Sequence, residues 1–209
     1  MLRVLQIGPS KVSLLPVIKG LVSEAKMVRE HLQSAQFDAV ALSISPEELD
    51  VIFSNPSVRA PPSSTEEEVY MRELKRFGPV KKPPPCFVEA VRIGRSQGLE
   101  CFPLDMNEEE FTELYCREVS GLELIRYSLR LKKLTRSSFQ AETPDDFVLQ
   151  FDAFLNWLRG HRRVEETREA HISASIASLC SQGFRPLVLV ELERFDGVSR
   201  RLEKVAPSP

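Results

Sequence analysis

Acids and bases that follow a strand, flank a glycine or open a helix are the places where this chain could do chemistry. Asp105 ends a short apolar run and precedes Asn107 and Glu108-Glu109-Glu110. A helix start accounts for the asparagine and the three glutamates, whose charges complement the positive end of the helix dipole, but it leaves Asp105 without a structural reason. Asp105 is therefore a candidate site acid. Glu191-Leu192-Glu193-Arg194 alternates charge with an apolar residue at the end of a second apolar run, as an exposed edge or a pocket rim would. Gly8-Pro9-Ser10-Lys11 carries the first glycine and a lysine of a phosphate loop. It lacks the second glycine and the Lys-Ser ending that wrap backbone donors around a phosphate, and a tight turn explains it without a ligand. Asp145 and Asp146 follow Thr143-Pro144 and read as first-turn charges of a helix. His171 shares a helical stretch with Arg168 and Glu169, and a lone histidine defines neither a metal centre nor a triad. Cys86, Cys101, Cys116 and Cys180 contain no C-x-x-C pair and read as buried free thiols rather than a zinc or redox motif.

The elements that must position these residues follow from periodicity and punctuation. Residues 2–7 (LRVLQI) read as a buried strand stopped by Gly8-Pro9. A helix follows over residues 23–33, then a strand over residues 37–44 (FDAVALSI). Ser45-Pro46-Glu47-Glu48 is a helix start with proline at the first helical position. This β-α-β-α order implies a right-handed crossover and a parallel pair. Residues 55–85 hold seven of the fifteen prolines around a helical segment at residues 65–76, and form an excursion from the sheet. A helix over residues 87–96 stops at Gly98 and leads into a short strand at residues 100–104. Residues 107–182 are helix-rich: Asn107 opens one helix, Gly121 interrupts, and Thr143 caps the next. Gly160 separates it from a helix over residues 164–180. Residues 187–192 (LVLVEL) are the last strand, and residues 196–204 a short closing helix. No internal repeat is present.

The fold class these elements imply is α/β, with a central, mostly parallel sheet of about four or more short strands, crossover helices and a largely helical second half. Residues 1–209 are long enough for one domain of this kind. The 28 Lys and Arg nearly cancel the 30 Asp and Glu, which gives no global field to steer the chain to nucleic acid or an anionic membrane. Arg3, Gln6, Lys11 and Lys19 interrupt the apolar start, and no run approaches the roughly 18 apolar residues of a membrane span, so the expected location is cytoplasmic.

In open sheets of this kind ligands collect beyond the carboxyl ends of the strands, where loops and helix starts converge. That rule gathers four groups: Gly8 to Lys11; Ser43, Ser45 and Glu47; Asp105; and Glu191, Glu193, Arg194 and Asp196.

Strand one with its glycine turn, FDAVALSISPEEL, PPPCFVEAVRIGRSQGLECFPLDM, and RVEETREAHISASIASL before LVLVELERFDGV together resemble the TraB/PrgY family, related to the TIKI and ChaN-like group. The resemblance implies a metal-dependent hydrolase with Gly-x-x-His after the first strand, a glutamate in the second and another Gly-x-x-His after the last. Here Lys11 stands for the first histidine beside Gly8, Ser43 falls near the glutamate, and Glu191 and Arg194 occupy the second motif. Arg168-Glu169 with Ile172 matches the family's helix of arginine, acid and apolar residue. A protonated lysine or arginine offers no lone pair to a metal. The altered motifs therefore imply a noncatalytic binding or regulatory protein whose Gly8, Lys11, Ser43, Asp105, Arg168 and Arg194 form a cationic recess for a carboxylate, a phosphate or a protein partner, with no cofactor. The alternative is a hydrolase that gathers a divalent metal through Asp105, Glu169, His171 and Glu191. A third reading is a homo-oligomer assembled through the proline-rich excursion and the helical half.

Overall fold

The chain, described here over residues 2–54 and 64–205 of a computed structural model, builds one five-stranded sheet. Its strands are β1 (Arg3–Ile7), β2 (Ser10–Val17), β3 (Ala39–Leu42), β4 (Glu100–Pro103) and β5 (Pro186–Glu191). They lie in the order β1-β2-β5-β3-β4, with β1 antiparallel to β2 and every other pair parallel. The helices are α1 (Val22–Ser34), α2 (Pro46–Ser54), α3 (Thr65–Leu74), α4 (Pro85–Ser96), α5 (Glu108–Glu118), α6 (Gly121–Leu134), α7 (Pro144–Leu155), α8 (Arg159–Ser181) and α9 (Leu192–Val205). The α/β class, the mostly parallel sheet and the helical second half are as the sequence implied.

All six residues of β5 are buried, because a central parallel strand has both faces covered. Leu187 and Leu189 point to one face with Leu15, Val17, Val40 and Leu42, under α1, α2 and α4. Val188 and Val190 point to the other with Val12, Leu14 and Ala41, under α8 and α9. Ile172, Ile176, Val198 and Leu202 of those two helices are fully buried, each worth roughly 1.5–3 kcal/mol of transfer from water. A third cluster packs α3, α6 and α7 around Ile18 and Leu21, just beyond the carboxyl end of β2. The helical half is thereby held as a cap over that end of the sheet.

Four local expectations change. Gly8-Pro9 is a two-residue hairpin turn between β1 and an unanticipated β2, with Ile7 opposite Ser10 and Gly8 at φ +55°, the left-handed conformation such turns require. Pro16 disguises β2, yet it lies past the last β1 pair, Arg3 opposite Leu14, where that side of the ladder has ended. Gly121 is the first residue of α6 rather than a break, because Ser120 caps the helix in a reciprocal box with Glu123; Gly160 likewise lies inside α8. Finally, α9 begins at Leu192, immediately after β5, and so carries Glu193 and Arg194 in its first turn. Residues 55–63 of the proline-rich excursion lie outside the described residues; the rest of it holds α3, capped by Ser64.

Candidate functional site

Parallel strands deliver their exits to one end of the sheet, and short hydrogen bonds lock those exits together. Ser43 N–H donates to the Leu189 carbonyl (3.0 Å), and Glu191 N–H donates to Ser43 Oγ (3.1 Å). Leu104 N–H donates to the Leu42 carbonyl (2.9 Å) and Asp105 N–H to the Ile44 carbonyl (3.1 Å). Glu47, at the start of α2, accepts from Glu108 N–H (3.3 Å) and ties two helix starts together. The exit of β2 is Ile18-Lys19-Gly20, and it supplies Lys19.

On this platform six side chains form a chain of alternating charge. Lys19 Nζ lies 2.6 Å from Glu191 Oε1, and Arg194 pairs with the other oxygen of Glu191. Arg194 Nε donates to Glu165 Oε2 (2.8 Å), whose second oxygen accepts from Arg168 Nη1 (3.0 Å). Arg168 ends the chain on Asp105, with Nε 3.1 Å from Oδ2 and a shorter bond from Nη2. The Asp105, Glu191 and Arg194 side chains are only 3, 4 and 8% exposed, so each charge depends on its neighbours for solvation. Arg168 also lies over the Phe111 ring (5.3 Å). Burial would raise the Glu165 carboxyl, but Arg194 and Arg168 outweigh it and hold the group at about 2. Burial works against the charge of Arg168, and Glu165 with Asp105 more than restores it, lifting its pKa above the ordinary value.

Three members of this chain, Lys19, Arg194 and Glu165, line a cavity of about 480 Å³ beneath the helical cap, within the range of small-molecule sites. Lys19, Glu165, Glu193 and Arg194 line it from the sheet side; Asp152 and Asn156 line it from the end of α7, and Tyr70 from α3. Tyr115, Tyr127 and His161 close another wall, with Tyr127 stacked on His161 (centroids 4.5 Å apart). Burial, then the charges of Glu193 and Glu165, push the Asp152 carboxyl up to about 6, although Asn156 Nδ2 donates to it at 2.7 Å. Burial and the nearby Glu193 charge raise Tyr70 well above an ordinary phenol, which keeps it protonated. The Tyr70 hydroxyl, Glu193 Oε2 and His161 Nδ1 are buried with no hydrogen-bond partner. Unpaired polar atoms around a cavity are what a polar ligand would satisfy.

No family model and no curated protein matches this chain.

Of the expected ligand-binding residues, Ser43, Asp105, Arg168 and Arg194 come together at the carboxyl end. Gly8 and Lys11 do not. Lys11 is the second residue of β2, two residues before the Ser13–Leu187 pair, while Arg194 follows the far end of β5, so the two lie at opposite ends of the sheet. The hairpin is the reason: β1 runs against the other strands, and its exit turn faces the wrong way. Nor is the recess cationic, because Arg168 and Arg194 are each bound by two carboxylates. The alternative metal set is dispersed as well. Glu169 pairs with Arg201 (3.2 Å), and His171 lines a separate surface depression with Phe102 and Leu104. Arg168, Glu165 and Arg194 stand between Asp105 and Glu191. Among the described residues no three His, Cys, Asp or Glu side chains are grouped to hold a metal ion. Lys19, Tyr70, Asp152, His161 and Glu165 were not anticipated. The true exit of β2 at Lys19-Gly20 was readable once a two-residue turn is placed between two apolar runs, whereas Asp152 and Tyr70 sit mid-helix and carry no local signal.

Proposed function

We propose that this chain is a noncatalytic binding or regulatory protein, built on a TraB-like scaffold, that holds a small polar molecule between the carboxyl ends of its strands and the helical cap. One observation carries the reading: the cavity at the strand ends is lined by the buried, unpartnered Tyr70 hydroxyl and Glu193 Oε2. The alternating ion pairs support a binding role, since they consume the strongest acids and bases in mutual contacts and give the wall a fixed shape. Thermal denaturation against a library of polar metabolites tests it. A ligand at 100 times its Kd adds about 2.7 kcal/mol, which for a chain of this size shifts Tm by roughly 5–10 °C. Leu155→Trp, which fills the cavity, should abolish the shift; a library without effect on the wild type refutes the reading.

A hydrolase reading has one feature in its favour. Asp152 holds its proton up to about pH 6 while Glu165, on the same cavity, stays ionised down to about 2, the division found between a general acid and a neighbouring carboxylate. Turnover of ester, amide or glycoside probes that disappears in Asp152→Asn would favour it over simple binding.

A further inference from the structure

We infer that the ligand is a small organic cation, an amine or guanidine whose N–H groups are taken by Asp152 and Glu193 and whose carbon skeleton lies on the tyrosine wall. This rests on the cavity being a ligand site, and adds the ligand's sign and chemistry.

The charges lining the cavity are unequal once their pairs are counted. Carboxylates come from Glu48, Glu66, Glu67, Asp152, Glu165 and Glu193; cations come from Lys19, Lys81, Lys82 and Arg194. Three of those cations are committed: Arg194 to Glu165 and Glu191, Lys19 to Glu191 at 2.6 Å, and Lys82 to Glu67 at 2.8 Å. Lys81 is exposed at the margin. On the acidic side, among the described residues, Glu193 has the distant Lys19 contact (3.8 Å) and one oxygen without a partner, and Asp152 hydrogen-bonds to the neutral Asn156 amide (2.7 Å) with no direct ion pair. Among the described residues the surplus is negative, and it is concentrated at one spot, because the Glu193 charge acts on both Asp152 and Tyr70.

Two further groups on this wall are free to hydrogen-bond a ligand without adding a charge that would repel a cation. The Tyr70 hydroxyl is buried against this spot and unpartnered. His161 is only 5% exposed, with Nδ1 unpartnered, and burial lowers its pKa, so it adds an acceptor or donor without adding a competing cation. Carboxylates are acceptor-only, so they exclude a second anion and reward N–H donors. The rings of Phe111, Tyr115 and Tyr127 on the same cavity are the surfaces on which an ammonium-bearing skeleton packs. Among the described residues that line the cavity, no uncommitted buried cation balances a phosphate or carboxylate placed beside Glu193 and Asp152.

The test is calorimetric titration and thermal shift at pH 7.5 with butylamine, 1,4-diaminobutane, phenethylamine and guanidine. Butanol serves as the neutral isostere, acetate and inorganic phosphate as anions, and magnesium as a bare cation. Amines should raise Tm and bind at least tenfold more tightly than butanol, with phenethylamine the tightest. Glu193→Gln or Asp152→Asn should weaken amine binding tenfold or more; Tyr70→Phe, which keeps the ring and serves as the measurement where an acid variant folds poorly, should weaken it about threefold. Binding of phosphate, acetate or magnesium in preference to the amines, lost in Leu155→Trp, overturns the cation assignment and leaves the cavity reading standing. Absence of binding by every probe overturns the cation assignment too, and the metabolite library then decides the cavity reading separately.

Discussion

The two ends of the sheet use their polar side chains in opposite ways. At the amino end of the parallel strands each group closes a local loop: Ser10 Oγ donates to the Cys180 carbonyl (2.8 Å), and Asp38 accepts from Arg185 N–H (2.6 Å) and Arg185 Nε (3.1 Å). At the carboxyl end the charges are buried or half-buried, run in a chain from Lys19 to Asp105, and leave acceptors facing a cavity. Strand polarity is the cause. Helix starts and exit loops gather only at the carboxyl end, and only there does the fold expose enough backbone and side-chain polarity to need, and to reward, a buried network.

The largest expected effect breaks that network at its centre. Arg194→Met removes the cation shared by Glu191 and Glu165 and leaves each carboxylate with one partner, Lys19 and Arg168, which should cost about 2–3 kcal/mol, less than orphaning a buried charge outright. Urea denaturation reads this directly. Adding Glu191→Leu to Arg194→Met should recover part of the loss, since replacing both members of a buried pair by apolar groups is far milder than orphaning one. A single variant as stable as the wild type would mean that water already solvates the wall.

How much of this was legible in the sequence divides along the same line. The helix starts at Asn107 and Thr143, the glycine stop at Gly98 and the apolar run of β5 are local signals, and each stands where its residues placed it. What failed were features decided by partners distant in sequence. Gly160 reads as a helix break but is demanded by packing, because a Cβ there would sit 2.6 Å from the Glu118 carbonyl. The pairing of Arg168 with Asp105 spans 63 residues, and that of Arg194 with Glu165 spans 29. Charge neutralisation of this kind is invisible to periodicity, which is why the recess looked cationic when only its arginines were counted.

A smaller effect sharpens the comparison through pH. Asp152 faces Glu193 and Arg194 from α9, Glu165 from α8 and Asn156 at the end of its own helix. Its carboxyl stands at about 6 when folded against 3.8 for the ordinary group. Between those values the folded chain binds a proton that the unfolded chain has lost, so stability falls as pH rises through this window and the penalty is complete above about 6. Asp152→Asn should therefore be more stable than the wild type at pH 7 by about 1 kcal/mol, a ~2-unit shift discounted for partial exposure, and indistinguishable from it near pH 3.5. Glu165 acts with the reverse sign. Its contribution is present above 4.5 and is lost as pH falls toward about 2, so it leaves the difference between the two proteins at pH 7 unchanged. Amine affinity should fall as pH drops below about 6, where protonation removes one of the two carboxylates.

The smallest effects belong to the amino end. Gly8 holds φ +55° with open space where a Cβ would be, so Gly8→Ala pays only backbone strain, roughly 1 kcal/mol, and no clash. Lys11 is exposed on β2, and Lys11→Ala should change stability by less than about 0.5 kcal/mol. Neither should alter binding of any cavity ligand, because the strands put the full length of the sheet between them and Asp152. Weakened ligand binding in Lys11→Ala, at unchanged Tm, would place the site at the hairpin end and reverse the assignment of the two ends.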